Sequence, residues 1–245
     1  MRHSQNPNDT IINFVHLEGT VVSCRIINED GDKVKAAIKL CTAKPIPEGD
    51  RIKMTNPLMH PVIISASGEK ATKLKDLASC MDSTMTESKP QTATSENIIM
   101  SIEGNLTTDK TGRIYVQTKE DKISFPKKLS MKNLTILQGR VVQTLSNIAY
   151  ASAKLEIDNP ADDGTTVRIP ICISSSDNPK QYAEISKGNV KQGDILSVKG
   201  PLISKTYSDG KKEINICSVN VARYNNLSQT QTQTRTPVLS KKRGR

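Results

Sequence analysis

The sequence predicts an all-β protein of two tandem five-stranded barrels, each with one short helix, followed by a basic tail. Three observations carry that expectation. A pair of motifs occurs twice in the same order, alternating Val/Ile-rich segments follow each motif, and the composition is too poor in large apolar residues for one big core. Of the 245 residues 35% are apolar, with no Trp, two Phe and five Tyr. Two small β domains suit that length and composition better than one large one.

The repeat comes first. Leu17-Glu18-Gly19-Thr20-Val21-Val22 returns as Leu137-Gln138-Gly139-Arg140-Val141-Val142. Ile102-Glu103-Gly104-Asn105-Leu106 returns as Val198-Lys199-Gly200-Pro201-Leu202. The opening glycines stand 120 positions apart and the later pair 96, so the first copy holds about 24 extra residues. A Pro-rich stretch at 42–61 and a Ser/Thr-rich one at 82–96 can hold them as long loops, the second with the composition of disorder.

Alternation and β-branched content place strands in the second copy near 134–145, 149–158, 165–174, 195–204 and 211–223. A short helix at 178–187, closed by Gly188, falls between the third and fourth. The first copy reads the same way: strands near 13–27, 33–42 and 61–66, a helix near 68–81, then strands near 98–106 and 112–119. Three strands, a helix and two strands is the order of the OB fold, a five-stranded Greek-key barrel; a generic small barrel is the alternative. The expected domains are an N-terminal OB-fold domain at 1–128, a C-terminal one at 129–225 and a disordered basic tail at 226–245.

The second copy resembles the bacterial-type single-stranded DNA-binding protein (SSB) family, here in a tandem OB-fold version. The resemblance rests on Gln138-Gly139-Arg140-Val141, on Val167-Arg168-Ile169-Pro170-Ile171, on the run from Val190 through Lys191-Gln192-Gly193-Asp194-Ile195 to Leu202, and on the hairpin Tyr207-Ser208-Asp209-Gly210-Lys211-Lys212. It covers about 90 residues well and the first copy weakly. It implies sequence-independent binding of single-stranded DNA, coating and protecting it in replication, recombination or repair. It also implies four barrels per functional unit, which two barrels per chain reach as a homodimer. Two features depart from the family. The end of this sequence is Ser240-Lys241-Lys242-Arg243-Gly244-Arg245 instead of an acidic tip, so the tip's protein partners do not carry over, and the family's stacking Trp residues have no counterpart.

Charge agrees with a polyanionic partner. The net charge is +10, and the last twenty residues hold five cations and no acid. Holding a single strand needs cations along the phosphates and flat side chains for bases. Alternation turns Lys35 and Lys39 outward on the second strand of the first copy, and Tyr150 and Lys154 outward at the matching positions of the second. Arg168 faces outward on the third strand. The outer face of strands two and three is where OB folds hold nucleic acid. The hairpins between strands four and five add Lys110, Arg113 and Tyr115 in the first copy and Lys205, Tyr207, Lys211 and Lys212 in the second. Phe14, Phe125 and Tyr182 read as packing residues.

Other classes find little support. The five cysteines are widely spaced with no C-x-x-C pair, which suits small core residues in a reducing compartment, not a metal site. No apolar run approaches a bilayer span. There is no Gly-rich phosphate loop, H-E-x-x-H or G-x-S-x-G. The expectation is a soluble cytoplasmic protein (nucleoid-associated if bacterial) with no cofactor, metal, membrane partner or catalytic site. An OB-fold RNA-binding protein and an OB-fold protein–protein adaptor in a replication or conjugation assembly are the alternatives.

Overall fold

The structure is a computed structural model that describes residues 12–48, 51–85, 98–130, 132–158, 165–208, 213–221 and 223–227. In the first barrel β1 (Asn13–Asp30), β2 (Lys33–Glu48) and β3 (Arg51–Ala66) form an antiparallel meander, followed by α1 (Gly68–Met85). β4 (Ile99–Thr108) returns to pair with β1, and β5 (Ile114–Lys119) lies parallel beside β3, so the sheet closes. A 3-10 turn (Glu120–Lys122) and the short β6 (Ile123–Ser124) lead out.

The second barrel repeats the plan: β7 (Asn133–Ser146), β8 (Tyr150–Asp158) and β9 (Thr166–Ser174), then α2 (Pro179–Ser186), with proline in its first turn. Its fourth strand is split into β10 (Ile195–Gly200), which pairs with β7, and β11 (Leu202–Ser208), which pairs with β12 (Glu213–Asn220). The break falls at Pro201, which has no N–H for a ladder; Asn105 holds that place in the first barrel, where β4 runs on unbroken. β12 lies parallel beside β9, and β13 (Arg223–Asn226) covers β10. The chain is an all-β protein of two OB-type barrels.

The cores follow the alternation. Leu17, Leu40, Ile64, Leu74, Ile102 and Leu106 fill the first barrel, and Leu137, Leu155, Ile157, Ile169, Ile171 and Leu196 the second, all fully buried. The registers match across the repeat. Val21 faces Leu40 and Val141 faces Leu155; after a one-residue bulge in each first strand, Ser23 faces Lys39 and Gln143 faces Lys154. On the other side Lys39 meets Pro61 and Lys154 meets Pro170.

One expectation needs correcting. The 42–61 stretch is not an irregular loop: β2 and β3 continue through it as a paired arm, Lys44 facing Thr55 and Glu48 facing Arg51. Its four prolines suggested loop because proline cannot donate to a ladder. Past Cys41, however, β2 no longer pairs with β1 among the described residues, and proline is tolerated on a strand edge that has no ladder partner. Pro57 falls at the register shift opposite Thr42 and Lys44. Residues 82–85 belong to α1, while 86–96 and the tail from 228 onward lie outside the described residues.

The barrels join through their first strands. β1 and β7 pair antiparallel, with Asn13 facing Leu137 and Leu17 facing Asn133. Since residue 13 corresponds to 133 and 17 to 137, these two contacts are the same contact seen from either side. The seam therefore has the form of a two-fold interface held within one chain. The Glu18 N–H donates to the Lys132 carbonyl at 2.8 Å, and its counterpart Gln138 N–H donates to the Ile12 carbonyl at 2.7 Å. Asn13 and Asn133 each clamp the fourth strand of their own barrel: the amide donates to the carbonyl of Leu106 or Leu202 and accepts from the same residue's N–H, all at 2.8 Å.

On the pseudo-axis Val15 faces Thr135, whose buried hydroxyl lacks a hydrogen-bond partner. A buried orphan hydroxyl is destabilising, and valine has the same shape without it. Thr135→Val is expected to stabilise the protein by about 1 kcal/mol, raising Tm by about 2–4 °C. A lower Tm in a thermal melt would contradict this.

His60 is fully buried, its Nε2 2.6 Å from the Thr42 hydroxyl, and burial lowers its pKa to about 4. In the unfolded chain histidine titrates near ~6.5. The unfolded state thus binds the extra proton first, and stability present above pH ~6.5 is lost as pH falls towards 4, by up to about 3 kcal/mol. The second barrel has Ile169 at this place. His60→Ile is expected to flatten that part of the pH dependence in urea melts between pH 7 and 4.5; an unchanged slope would refute the assignment.

Candidate nucleic-acid interface

The registers that shape the second barrel also set a row of charge across its outer face. Arg140 on β7 faces Glu156 on β8, which faces Arg168 on β9. Arg168 Nε donates to Glu156 Oε1 at 3.1 Å, and Arg140 reaches over to the Gly193 carbonyl at 3.3 Å. Lys154, one outward position along β8, is exposed beside them. These residues, with Gln143, Gln192 and Gly193, line an open groove of about 530 Å³ in which three cations meet one carboxylate. Gly193, at φ +95°, makes the turn that forms the groove's rim. Further along the same face Tyr150 is more than half exposed.

The matching row of the first barrel is uncharged: Thr20, Cys41 and Met59 stand where Arg140, Glu156 and Arg168 stand in the second. Burial pushes the Cys41 thiol pKa up, which keeps it a neutral thiol. Lys39 and Lys35 are exposed on this face as alternation requires. Lys35 borders another cavity, of about 550 Å³, where Lys33, Lys35 and Lys119 meet Asp30, Glu120 and Asp121. Opposite charges balance there, so the space has no net pull on a phosphate.

The hairpin residues fare unequally. Lys110 and Arg113 are exposed on the β4–β5 turn. That turn is built by the Asp109 carboxylate, which accepts from the Thr111 hydroxyl at 2.6 Å and from the Thr111 and Arg113 N–H groups; the Thr111 hydroxyl chiefly holds its pKa down. Tyr115 is half-buried opposite the buried Thr107, which leaves less of its ring open to a base than Tyr150 offers. Lys205 and Tyr207 lie on β11 opposite Ile216 and Ile214. Lys211 and Lys212 lie outside the described residues. Phe14 sits on the seam opposite Ile136, and Phe125 and Tyr182 are part-buried against the core.

The structure thus brings Lys154 and Arg168 together, places Tyr150 on their face, and adds two residues not singled out from the sequence. Arg140 was legible, since it stands between inward Gly139 and Val141. Glu156 was placed outward by alternation, but only the cross-strand register shows that it pairs with Arg168. Removing its charge while keeping its shape frees Arg168 and removes a repulsion for phosphate. If the groove takes a phosphate backbone, as proposed below, Glu156→Gln is expected to tighten binding of oligo-dT about threefold to tenfold at low salt, measured by fluorescence anisotropy; weaker binding would contradict that proposal.

No family model matches the chain, and no curated protein matches it. Among solved structures it is similar to the wild-type single-stranded DNA binding protein from Thermus aquaticus: 16% identity over 88% of this chain and 93% of that one, with a TM-score of 0.58. A deletion mutant of the same Thermus protein matches equally, covering 94% of that chain. The mitochondrial single-stranded DNA binding protein of S. cerevisiae spans 40% of this chain at a TM-score of 0.32. The shared feature is the fold. The OB architecture is thereby seen across most of the chain, both barrels included. Among the described residues no helix is long and apolar enough to cross a membrane, and no three His, Cys, Asp or Glu side chains gather as a metal site.

Proposed function

We propose that this chain is a single-stranded DNA-binding protein that coats and protects unwound strands in replication, recombination or repair, without sequence specificity. The observation that carries the reading is the Arg140–Lys154–Arg168 groove on the outer face of an OB barrel, with Tyr150 exposed beside it. Its chemistry suits what every nucleotide shares, a phosphate for the cations and a flat ring for tyrosine. The role is that of a binding protein, not an enzyme, acting in the cytoplasm as a homodimer that presents four barrels. The basic tail adds a sequence-independent phosphate grip.

Fluorescence anisotropy with dT, RNA and duplex oligomers of equal length, at low and moderate salt, tests this. The reading expects dT to bind well above duplex and to weaken steeply with salt. Equal or better binding of RNA would favour an RNA-binding role. No single-strand binding at low salt would sink the proposal and leave the protein–protein adaptor role.

A further inference from the structure

Two positions of the barrel cores do not repeat. The first barrel has Thr42 and His60, both buried, where the second has the buried Ile157 and Ile169. The glycines confirm the match: a Cβ on Gly19 would meet the Thr42 methyl, and one on Gly139 the Ile157 side chain. Two isoleucines serve the packing there, and a well-packed apolar pair is often as stabilising as a buried polar one. Packing alone therefore does not explain Thr42 and His60.

The polar pair reaches across the seam. The Thr42 hydroxyl stands 2.6 Å from His60 Nε2 and 3.4 Å from Asn133 Nδ2 of the second barrel. Asn133 also donates to the Leu202 carbonyl and accepts from the Leu202 N–H, both at 2.8 Å. Burial keeps His60 neutral near pH 7, so the hydroxyl can donate to Nε2 and accept from Asn133 at once.

Each end of this chain of bonds is the root of a hairpin. Cys41 is the last β2 residue paired with β1, and beyond Thr42 the β2–β3 ladder shifts register and runs on as the arm. Leu202 opens β11, which pairs with β12, and β11 packs beside β3 across the barrels. In the other half of the pseudo-two-fold Asn13 clamps Leu106 alike, but Ile157 has no hydroxyl for it to reach. The bridge is one-sided.

We propose that Thr42 is a positioning residue: its hydroxyl ties the root of the first barrel's arm to the root of the second barrel's β11–β12 hairpin, fixing how the barrels are set when one DNA strand lies on both. The inference rests on the single-strand reading above. Two sites on one chain bind a long ligand more tightly than either site alone, by a factor set by how narrowly their separation is fixed. The β1–β7 ladder joins the barrels along a single pair of β-strands, and the bridge lies off that ladder, where it opposes twisting about it. Without it the spread of separations widens, which weakens the hold on a long strand but not one barrel's hold on a short one.

The test uses the full-length protein and oligo-dT of two lengths at low salt, about 8 nucleotides for one barrel and about 30 for both. The double variant Thr42→Val, His60→Ile removes the bridge and keeps an apolar pair like that of the second barrel. Its Tm is expected to stay within about 4 °C of the wild type. Its affinity for the short oligomer stays within about twofold, while that for the long one falls about fivefold or more. Thr42→Ser retains the hydroxyl and is expected to retain the wild-type ratio of long to short affinity. Should the double variant fail to fold, Thr42→Val alone deletes the bridge and is read against the same ratio. A bridge variant that keeps the ratio, or that loses both lengths alike, overturns the inference and leaves Thr42 a core residue only. If the wild type binds neither length, the single-strand reading itself has failed and the inference falls with it.

Discussion

Replacing Arg140, Lys154 and Arg168 together by alanine is expected to weaken oligo-dT binding about 100-fold at low salt, with little change in Tm. Each side chain lies on the solvent side of its strand, so the core keeps its packing. Each cation removed takes away one phosphate contact and the counterion it releases; for single strands that is about 0.7 of slope in log K against log salt per contact. The variant should therefore lose about 2 from the slope as well as affinity. The slope distinguishes electrostatic loss from misfolding, which would remove binding at all salts. Glu156 then has no counter-charge and adds repulsion. Unchanged affinity would show that the strand lies elsewhere.

Alanine at Gly19 is expected to destabilise the protein by about 3 kcal/mol or more. A Cβ there would stand 2.2 Å from the Cys41 carbonyl oxygen and 2.8 Å from its carbon, and both are backbone atoms of the paired strand that cannot swing aside. Gly139 has the same neighbour in the second barrel, with a Cβ 2.7 Å from the Glu156 carbonyl oxygen. The repeated glycine thus has a repeated cause: β1 approaches β2, and β7 approaches β8, too closely for any side chain. Gly139→Ala should cost somewhat less, since its closest approach is 0.5 Å looser. Urea denaturation reads both; a loss below about 0.5 kcal/mol for Gly19→Ala would contradict the packing argument.

Strands with one wet face are legible in the sequence alone. The 150–157 stretch alternates as its inward Ala151, Ala153, Leu155 and Ile157 require, all of them buried, and aligning Leu40 with Leu155 makes Lys39 the counterpart of Lys154, as their matching registers show. The 42–61 arm is not legible, because proline content reports a missing donor and not whether a neighbouring strand needs it. The seam between β1 and β7 is hidden, since a strand edge that pairs looks in sequence like one that does not. Asn13 and Asn133 stand 120 positions apart as the glycines do, but one polar residue has no periodicity to mark it. The Glu156–Arg168 pair and the Thr42–Asn133 bridge depend on cross-strand register and on how the barrels meet, which alternation along one strand does not report.

The claim that the second barrel's outer face holds the strand is tested most directly by ultraviolet crosslinking of the full-length protein to oligo-dT, with the linked peptides mapped. Crosslinks are predicted in the segments 140–156 and 166–171, Tyr150 and Lys154 among them, and are lost first as salt rises. Crosslinks confined to α1, α2 or the turn at 29–32, with none on β7, β8 or β9, would contradict it.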